Sequence, residues 1–161
     1  MSQQEKILEE FRSVFNKLVW LNRGEMEEKL KGHKPSEVHC IEYIGKHVDP
    51  NVTRLAEAFY MTRGAISKIT KKLLDKKLIE SYQGPENKKE IYFRLTPQGR
   101  EVFDIHENLH RSFRGRDDVV FEKISDEQYK TMSRFLDMYS QHLDAEINKQ
   151  GIRLEESPIV E

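Results

Sequence analysis

The stretch VTRLAEAFYMTRGAISKITKKLLDKKLIESYQ, from Val52 to Gln83, limits the possible folds more than any other part of this chain. Leu55, Ala56 and Phe59 recur at helical spacing in its first third, and Ile66, Ile69, Leu73 and Leu74 do so further on. Each set forms one apolar stripe, so each segment is expected to be a short amphipathic helix with a single face to bury. The first helix should run from about Thr53 to Tyr60, and Thr62 can cap the second. Two short helices joined by a turn of three or four residues make a helix-turn-helix unit. Beyond it, LIESYQ and EIYFRLT are β-prone runs separated by Gly84, Pro85, Glu86, Asn87, Lys88 and Lys89, which predicts a hairpin with a basic tip.

Longer helical patterns flank this unit. From about Glu5 to Lys31, Ile7, Phe11, Val14, Phe15, Leu18, Trp20, Leu21 and Leu30 predict one long amphipathic helix, with Gly24 as a candidate break and Gly32 as its stop. Pro35 and Glu37 suit the first turn of the next helix, which points Val38, Ile41 and Ile44 inward and ends between Gly45 and Asp49. Asp49, Pro50 and Asn51 then form a turn. Thr96 and Pro97 restart helix as cap and first-turn proline, with an expected end near Arg116 and a loose continuation through Phe121. Ser125 and Gln128 have capping-box spacing ahead of a sixth helix that carries Tyr129, Met132, Phe135, Leu136, Tyr139 and Leu143.

The fold class that follows is mainly α with a small β-hairpin wing: a winged helix-turn-helix domain on a helical dimerisation frame. Its expected division is a dimerisation helix over residues 1–34, the winged unit over 35–98, further dimerisation helices over 99–150, and a mobile acidic tail over 151–161. A length of 161 residues suits one compact unit. Charged residues make up 34% against 37% apolar, a balance expected of long helices that hand their apolar stripe to a partner subunit. A homodimer is therefore expected. No run of about 18 apolar residues is present, and MSQQEKILEEF has neither a basic leader nor a continuous apolar segment, so a soluble, cytoplasmic protein is expected. The single cysteine, Cys40, is either a redox sensor or a buried inert thiol, and no sequence neighbour evidently lowers its pKa.

The net charge of -1 conceals an uneven distribution. From Thr62 to Arg94 there are nine Lys or Arg against four Asp or Glu, and the chain ends in LEESPIVE. An electropositive centre between acidic ends is what a phosphate-binding module on a dimer frame requires. The second helix of the unit carries Thr62, Arg63, Gly64, Ser67, Lys68, Thr70, Lys71 and Lys72 as candidate DNA-contacting residues, joined by Asn87, Lys88 and Lys89 of the wing. A helix that enters the major groove packs one face on its domain and offers short polar and basic groups to bases and phosphates with the other. Gly64 would let the helix start approach the DNA backbone. A basic helix face can also simply be solvated; the adjacent turn and hairpin favour double-stranded DNA as the partner.

Together these residues resemble the MarR (multiple antibiotic resistance regulator) family. Its recurring pattern is matched at Thr53 to Ala56, at Lys77 to Ile79, in the charged wing, and at Leu95 to Gly99, within a resemblance that covers about Glu5 to Lys149. The resemblance implies a homodimeric transcriptional regulator and not an enzyme. Its terminal helices would interlock, its two recognition helices would enter successive major grooves of a pseudo-palindromic operator, and its wings would reach flanking minor grooves. One departure concerns the wing, where an arginine common in the family is absent from Glu86, Asn87, Lys88 and Lys89; lysine lacks the planar fork suited to the minor groove.

Histidines give a second signal. His106 and His110 lie four apart on the apolar stripe of Val102, Phe103, Leu109 and Phe113, a spacing that lets two imidazoles share a metal ion. His39 sits beside the core face of its helix, and three histidines with one carboxylate suit tetrahedral zinc. Each is also the kind of histidine that a core holds by hydrogen bonds alone. The zinc-responsive repressors of the family look similar here, and that resemblance implies Glu28 as the carboxylate, with zinc as cofactor and effector. A small apolar acid in the crevice between domain and frame is the other effector considered. His106 to His110 also spells HExxH, the zinc-hydrolase pattern, which would make Glu107 a water-activating base; a short chain offers little else for a substrate cleft. A winged-helix interaction adaptor is the remaining alternative.

Overall fold

Caps set most of the helix starts. The computed structural model describes residues 1–150, and the tail expected over 151–161 lies outside the described residues. Ser2 opens α1 (Gln3–Lys29) through a capping box with Glu5, and Asn51 opens α3 (Val52–Phe59) by accepting the Arg54 amide. Thr62, Thr96 and Ser125 do the same for α4 (Arg63–Asp75), α5 (Pro97–Phe121) and α6 (Asp126–Lys149). The remaining helix, α2 (Pro35–Lys46), begins on Pro35, and the Glu37 carboxylate accepts the Lys34 amide at 3.0 Å. Each cap satisfies an amide that a helix start leaves without an intrahelical partner.

Several boundaries differ from the sequence expectation. α1 runs through Gly24 without a break: one glycine costs about 1 kcal/mol relative to alanine, and the 2.7 Å pair of Arg23 with Glu27 spans the position. Asn51 belongs to α3 as its cap instead of to the preceding turn, and α5 continues as regular helix to Phe121.

The core lies where α2, α4 and α5 meet α3 and the hairpin, with Ile41, Leu55, Ile66 and Leu73 shielded from water. Each such aliphatic side chain contributes roughly 1.5–3 kcal/mol on burial. The hairpin pairs β1 (Ile79–Tyr82) with β2 (Tyr92–Leu95) in antiparallel register, Ile79 opposite Leu95 and Tyr82 opposite Tyr92. Ile79 and Phe93 turn into the core, while Glu80 and Arg94 form an exposed cross-strand pair at 2.6 Å. The turn between α2 and α3 braces the wing. Phe93 donates its amide to the Pro50 carbonyl at 2.9 Å, Tyr82 donates its hydroxyl to Asp49 at 2.7 Å, and Arg54 donates to the Val48 and Asp49 carbonyls.

Gly99 is where α5 crosses the chain leaving α4. A Cβ placed there would stand 1.8 Å from the Leu78 carbonyl oxygen, the same oxygen that accepts the Thr96 amide at 3.1 Å. Only glycine permits that approach, which explains physically the glycine of the Leu95 to Gly99 motif.

The terminal helices are a separate matter. Neither α1 nor α6 contains a buried residue, although both carry apolar stripes. Phe11 stacks on Phe135 at 6.2 Å, yet Phe15, Leu21, Leu136 and Leu143 remain exposed and Trp20 is 78% exposed. The end of α5 adds exposed Val119, Val120 and Phe121. Among the described residues, no helix is long and apolar enough to cross a membrane.

Candidate nucleic-acid interface and histidine cluster

The second helix of the helix-turn-helix, α4, divides its faces as its sequence demands. Ala65, Ile66, Thr70 and Leu73 are buried, whereas Arg63, Gly64, Ser67, Lys68, Lys71 and Lys72 are exposed. The exposed set recurs at spacings of three and four, so it shares one side of the helix. Tyr60, Met61 and Thr62 link α3 to α4, with Tyr60 in the left-handed region at φ 52°. Thr62 is half-buried, and its hydroxyl oxygen accepts the Ala65 amide at 3.1 Å, which spends one lone pair on the cap.

Thr70 corrects the sequence reading. It is 3% exposed and its hydroxyl donates to the Ile66 carbonyl at 3.0 Å. The reason is its place on the apolar stripe, four residues after Ile66 and three before Leu73. It packs the helix instead of presenting it. At Gly64 an added Cβ would meet nothing within 4 Å, so packing within the chain does not require glycine there. In the wing, Asn87, Lys88 and Lys89 are all exposed; Asn87 accepts the Lys89 amide at 3.1 Å and the Lys88 carbonyl accepts from Gln83 at 2.9 Å. These bonds shape the tip and leave both ammonium groups outward.

Of the four expected metal ligands, the structure brings His106 and His110 together, with the His39 ring beside His106 but its nitrogens not within 4.8 Å of both. His106 Nε2 and His110 Nε2 lie 3.0 Å apart, and the His39 and His106 rings are 6.5 Å apart, edge to face. His106 is 2% exposed, and its Nδ1 has no hydrogen-bond partner. Burial holds its pKa below the ordinary value, and the neighbouring His110 and His39 act in the same direction against Glu42. The imidazole is therefore neutral at pH 7, the form that ligates metals.

Glu28, the fourth expected ligand, is not engaged with the histidines. It is exposed on α1 and makes no hydrogen bond or ion pair with the histidines. The carboxylate beside His106 is Glu42, whose Oε2 stands 3.8 Å from Nδ1, because α2 and α5 pack against each other across this corner. Glu42, His106 and Glu107 offer ligand atoms within 4.8 Å of one another. Lys46 holds both carboxylates, at 2.8 Å from Glu42 and 2.9 Å from Glu107. The sequence signal that would have found this group is the spacing of His39, Glu42 and Lys46, which aligns them along one side of α2.

The literal HExxH is not a hydrolase centre. Glu107, which would have to activate water, is engaged by the Lys46 ammonium. Cys40 is 1% exposed, and burial, reinforced by Glu37, pushes its thiol up to about 12, so it is an inert core residue and no redox sensor.

Residues 34–91, spanning α2 through the wing loop, match the family model described as the MarR family. Among curated proteins the chain is similar to the HTH-type transcriptional regulator PchR of Bacillus subtilis strain 168, at 35% identity over 111 residues, covering 69% of this chain and 66% of that protein. It is also similar to the uncharacterized HTH-type regulator YhjH of the same organism, at 33% identity, covering 58% of this chain and 53% of that protein. The matched part thus spans between half and two thirds of these relatives. Among solved structures, Streptococcus pneumoniae FabT in complex with DNA superimposes with a TM-score of 0.75 at 22% identity, covering 89% of this chain and 99% of that one. With the capped helix-turn-helix, the braced wing and the family match over the same residues, this chain belongs to the MarR family of winged-helix transcriptional regulators.

Proposed function

We propose that this protein is a homodimeric, sequence-specific repressor that binds a pseudo-palindromic operator in double-stranded DNA and takes zinc as its effector. The observation that carries the DNA reading is the outward face of α4, where Arg63, Ser67, Lys68, Lys71 and Lys72 share one exposed side of a helix firmly packed by the other. Lys88 and Lys89 extend the positive surface from the wing. Phosphate contacts from such lysines supply affinity, and the short polar groups near the start of α4 supply discrimination. Support also comes from FabT, a protein of the same fold that was captured on DNA. The uncovered apolar stripes of α1 and α6 support the dimer, since an isolated chain would leave them in water.

His39, His106 and His110 are the proposed zinc ligands, with Glu28 unsupported as the fourth. Two zinc–nitrogen bonds of about 2.0–2.1 Å at the tetrahedral angle put their nitrogens roughly 3.3 Å apart. The Nε2 atoms, 3.0 Å apart, need to open only slightly to accept the ion. Glu42, facing Nδ1 of His106, suits the carboxylate that orients a ligating imidazole from behind. Held between α2 and α5, a zinc ion would fix their mutual angle and so favour one placement of the recognition helices.

The test is a zinc titration of metal-free wild type and His106→Ala, each with and without operator DNA. The expected result is one ion per chain in wild type, lost in the variant, with DNA changing zinc affinity by the same factor as zinc changes DNA affinity. Stoichiometric binding unaffected by the substitution would remove this site, and unequal or absent coupling would remove the effector role. Failure to retain DNA at low salt would leave the interaction-adaptor reading in its place.

A further inference from the structure

Lys76 caps the C-terminal end of α4 and carries the only hydrogen bond, among the described residues, from the recognition helix to the connection between α1 and α2. Its ammonium has three protons and three acceptors: the Gly32 carbonyl at 2.9 Å and both Glu37 oxygens at 3.0 Å. Glu37 is 1% exposed and also accepts the Lys34 amide at 3.0 Å. Gly32 has a φ of +90°, a conformation that favours glycine, and the turn it makes presents its carbonyl to Lys76. The Lys76 side chain is 31% exposed, so the pair is half-buried; desolvation of the Glu37 carboxylate offsets much of its Coulombic gain, and the best-attested role of such a pair is to select one geometry among several. With each ammonium proton of Lys76 matched to an acceptor, the half-buried network is also rigid.

We propose that Lys76 and Glu37 are positioning residues for DNA binding, which fix the pitch of α4 relative to the dimer frame and thereby set the spacing between operator half-sites that the protein accepts. This rests on the dimer reading above, because α1 must belong to the frame for the tie to transmit its geometry. Apolar packing of Leu73 and Ile66 holds α4 on its domain without this tie. The network therefore acts on orientation and leaves the contact face of α4 intact.

The experiment uses full-length protein and an operator selected from random DNA by the wild type. Affinity is measured for that operator, for versions with one base pair added or removed between the half-sites, and for an isolated half-site. Lys76→Met alone strands the buried Glu37 carboxylate and threatens folding; Glu37→Leu with Lys76→Met replaces both partners by apolar groups, which buried pairs tolerate. Circular dichroism and light scattering establish that the double variant is folded and has the oligomeric state of wild type. The expected result is a preference for native spacing about tenfold weaker than in wild type, with half-site affinity unchanged. A folded variant that keeps the wild-type preference overturns the tie and leaves the dimer reading standing. An equal loss on half-site and full operator overturns it too, by showing damage to α4 itself. If wild type shows no spacing preference, both readings fall.

Discussion

Single residues decide more in this molecule than their exposure suggests. Gly99→Ala would drive a methyl group into the Leu78 carbonyl oxygen, 1.8 Å from the ideal Cβ position, where both partners are backbone and neither can swing aside. The expected loss is more than about 4 kcal/mol, read as a collapse of the urea midpoint or as insoluble protein. Glu37 gives a pH signature. Burial by itself would raise its pKa, but the Lys34 amide and the Lys76 ammonium outweigh burial and hold it below the ordinary value of 4.5. A depressed carboxyl contributes stability that is present above 4.5 and lost as pH falls from there through the folded value. Urea midpoints of wild type should therefore drop below pH 4.5, and Glu37→Gln should start lower at pH 7 and flatten that drop. The histidine corner shows how far sequence reaches at this scale. His106 and His110 were legible because they lie on one helix, where spacing dictates proximity. Glu42 was not, because its place beside His106 depends on how α2 packs against α5. Thr70 was misplaced for the opposite reason: its polarity suggested the outer face, whereas its spacing from Ile66 and Leu73 put it inside.

Elements were legible where a cap and a period agreed. Thr62 and Ile66, Thr96 and Val102, and Ser125 and Tyr129 each mark a start and a stripe, and α4, α5 and α6 begin where they indicate. α1 passes Gly24 with the Arg23–Glu27 pair across it, and α5 runs on past Arg116, which donates to Asn22 of α1. The two DNA-facing elements should be separable by mutation. Lys88→Ala with Lys89→Ala removes two exposed charges from each wing, four per dimer, so affinity should fall on all sequences and the slope of log affinity against log salt should flatten by up to about 4. Arg63→Ala or Ser67→Ala should instead alter preference among operator variants, by roughly 1–3 kcal/mol at a contacted base pair. Binding that is indifferent to both sets of changes would remove this contact surface.

At the scale of the whole molecule, the chain is a well-packed winged domain joined to helices that lack a complete core of their own. The apolar stripes of α1 and α6 were readable from periodicity alone; what covers them was not, since periodicity reports a face and says nothing of its partner. The protein should be a dimer by light scattering at micromolar concentration, and that dimer should be lost when the chain is cut after Ser125. Whether the protein binds DNA as a winged-helix dimer is decided by titrating the full-length protein into a fluorescent duplex selected from random DNA and following anisotropy at increasing salt. The predicted result is two chains per duplex with affinity that falls steeply as salt rises. No binding at low salt, or saturation at one chain per duplex with no salt dependence, would contradict it.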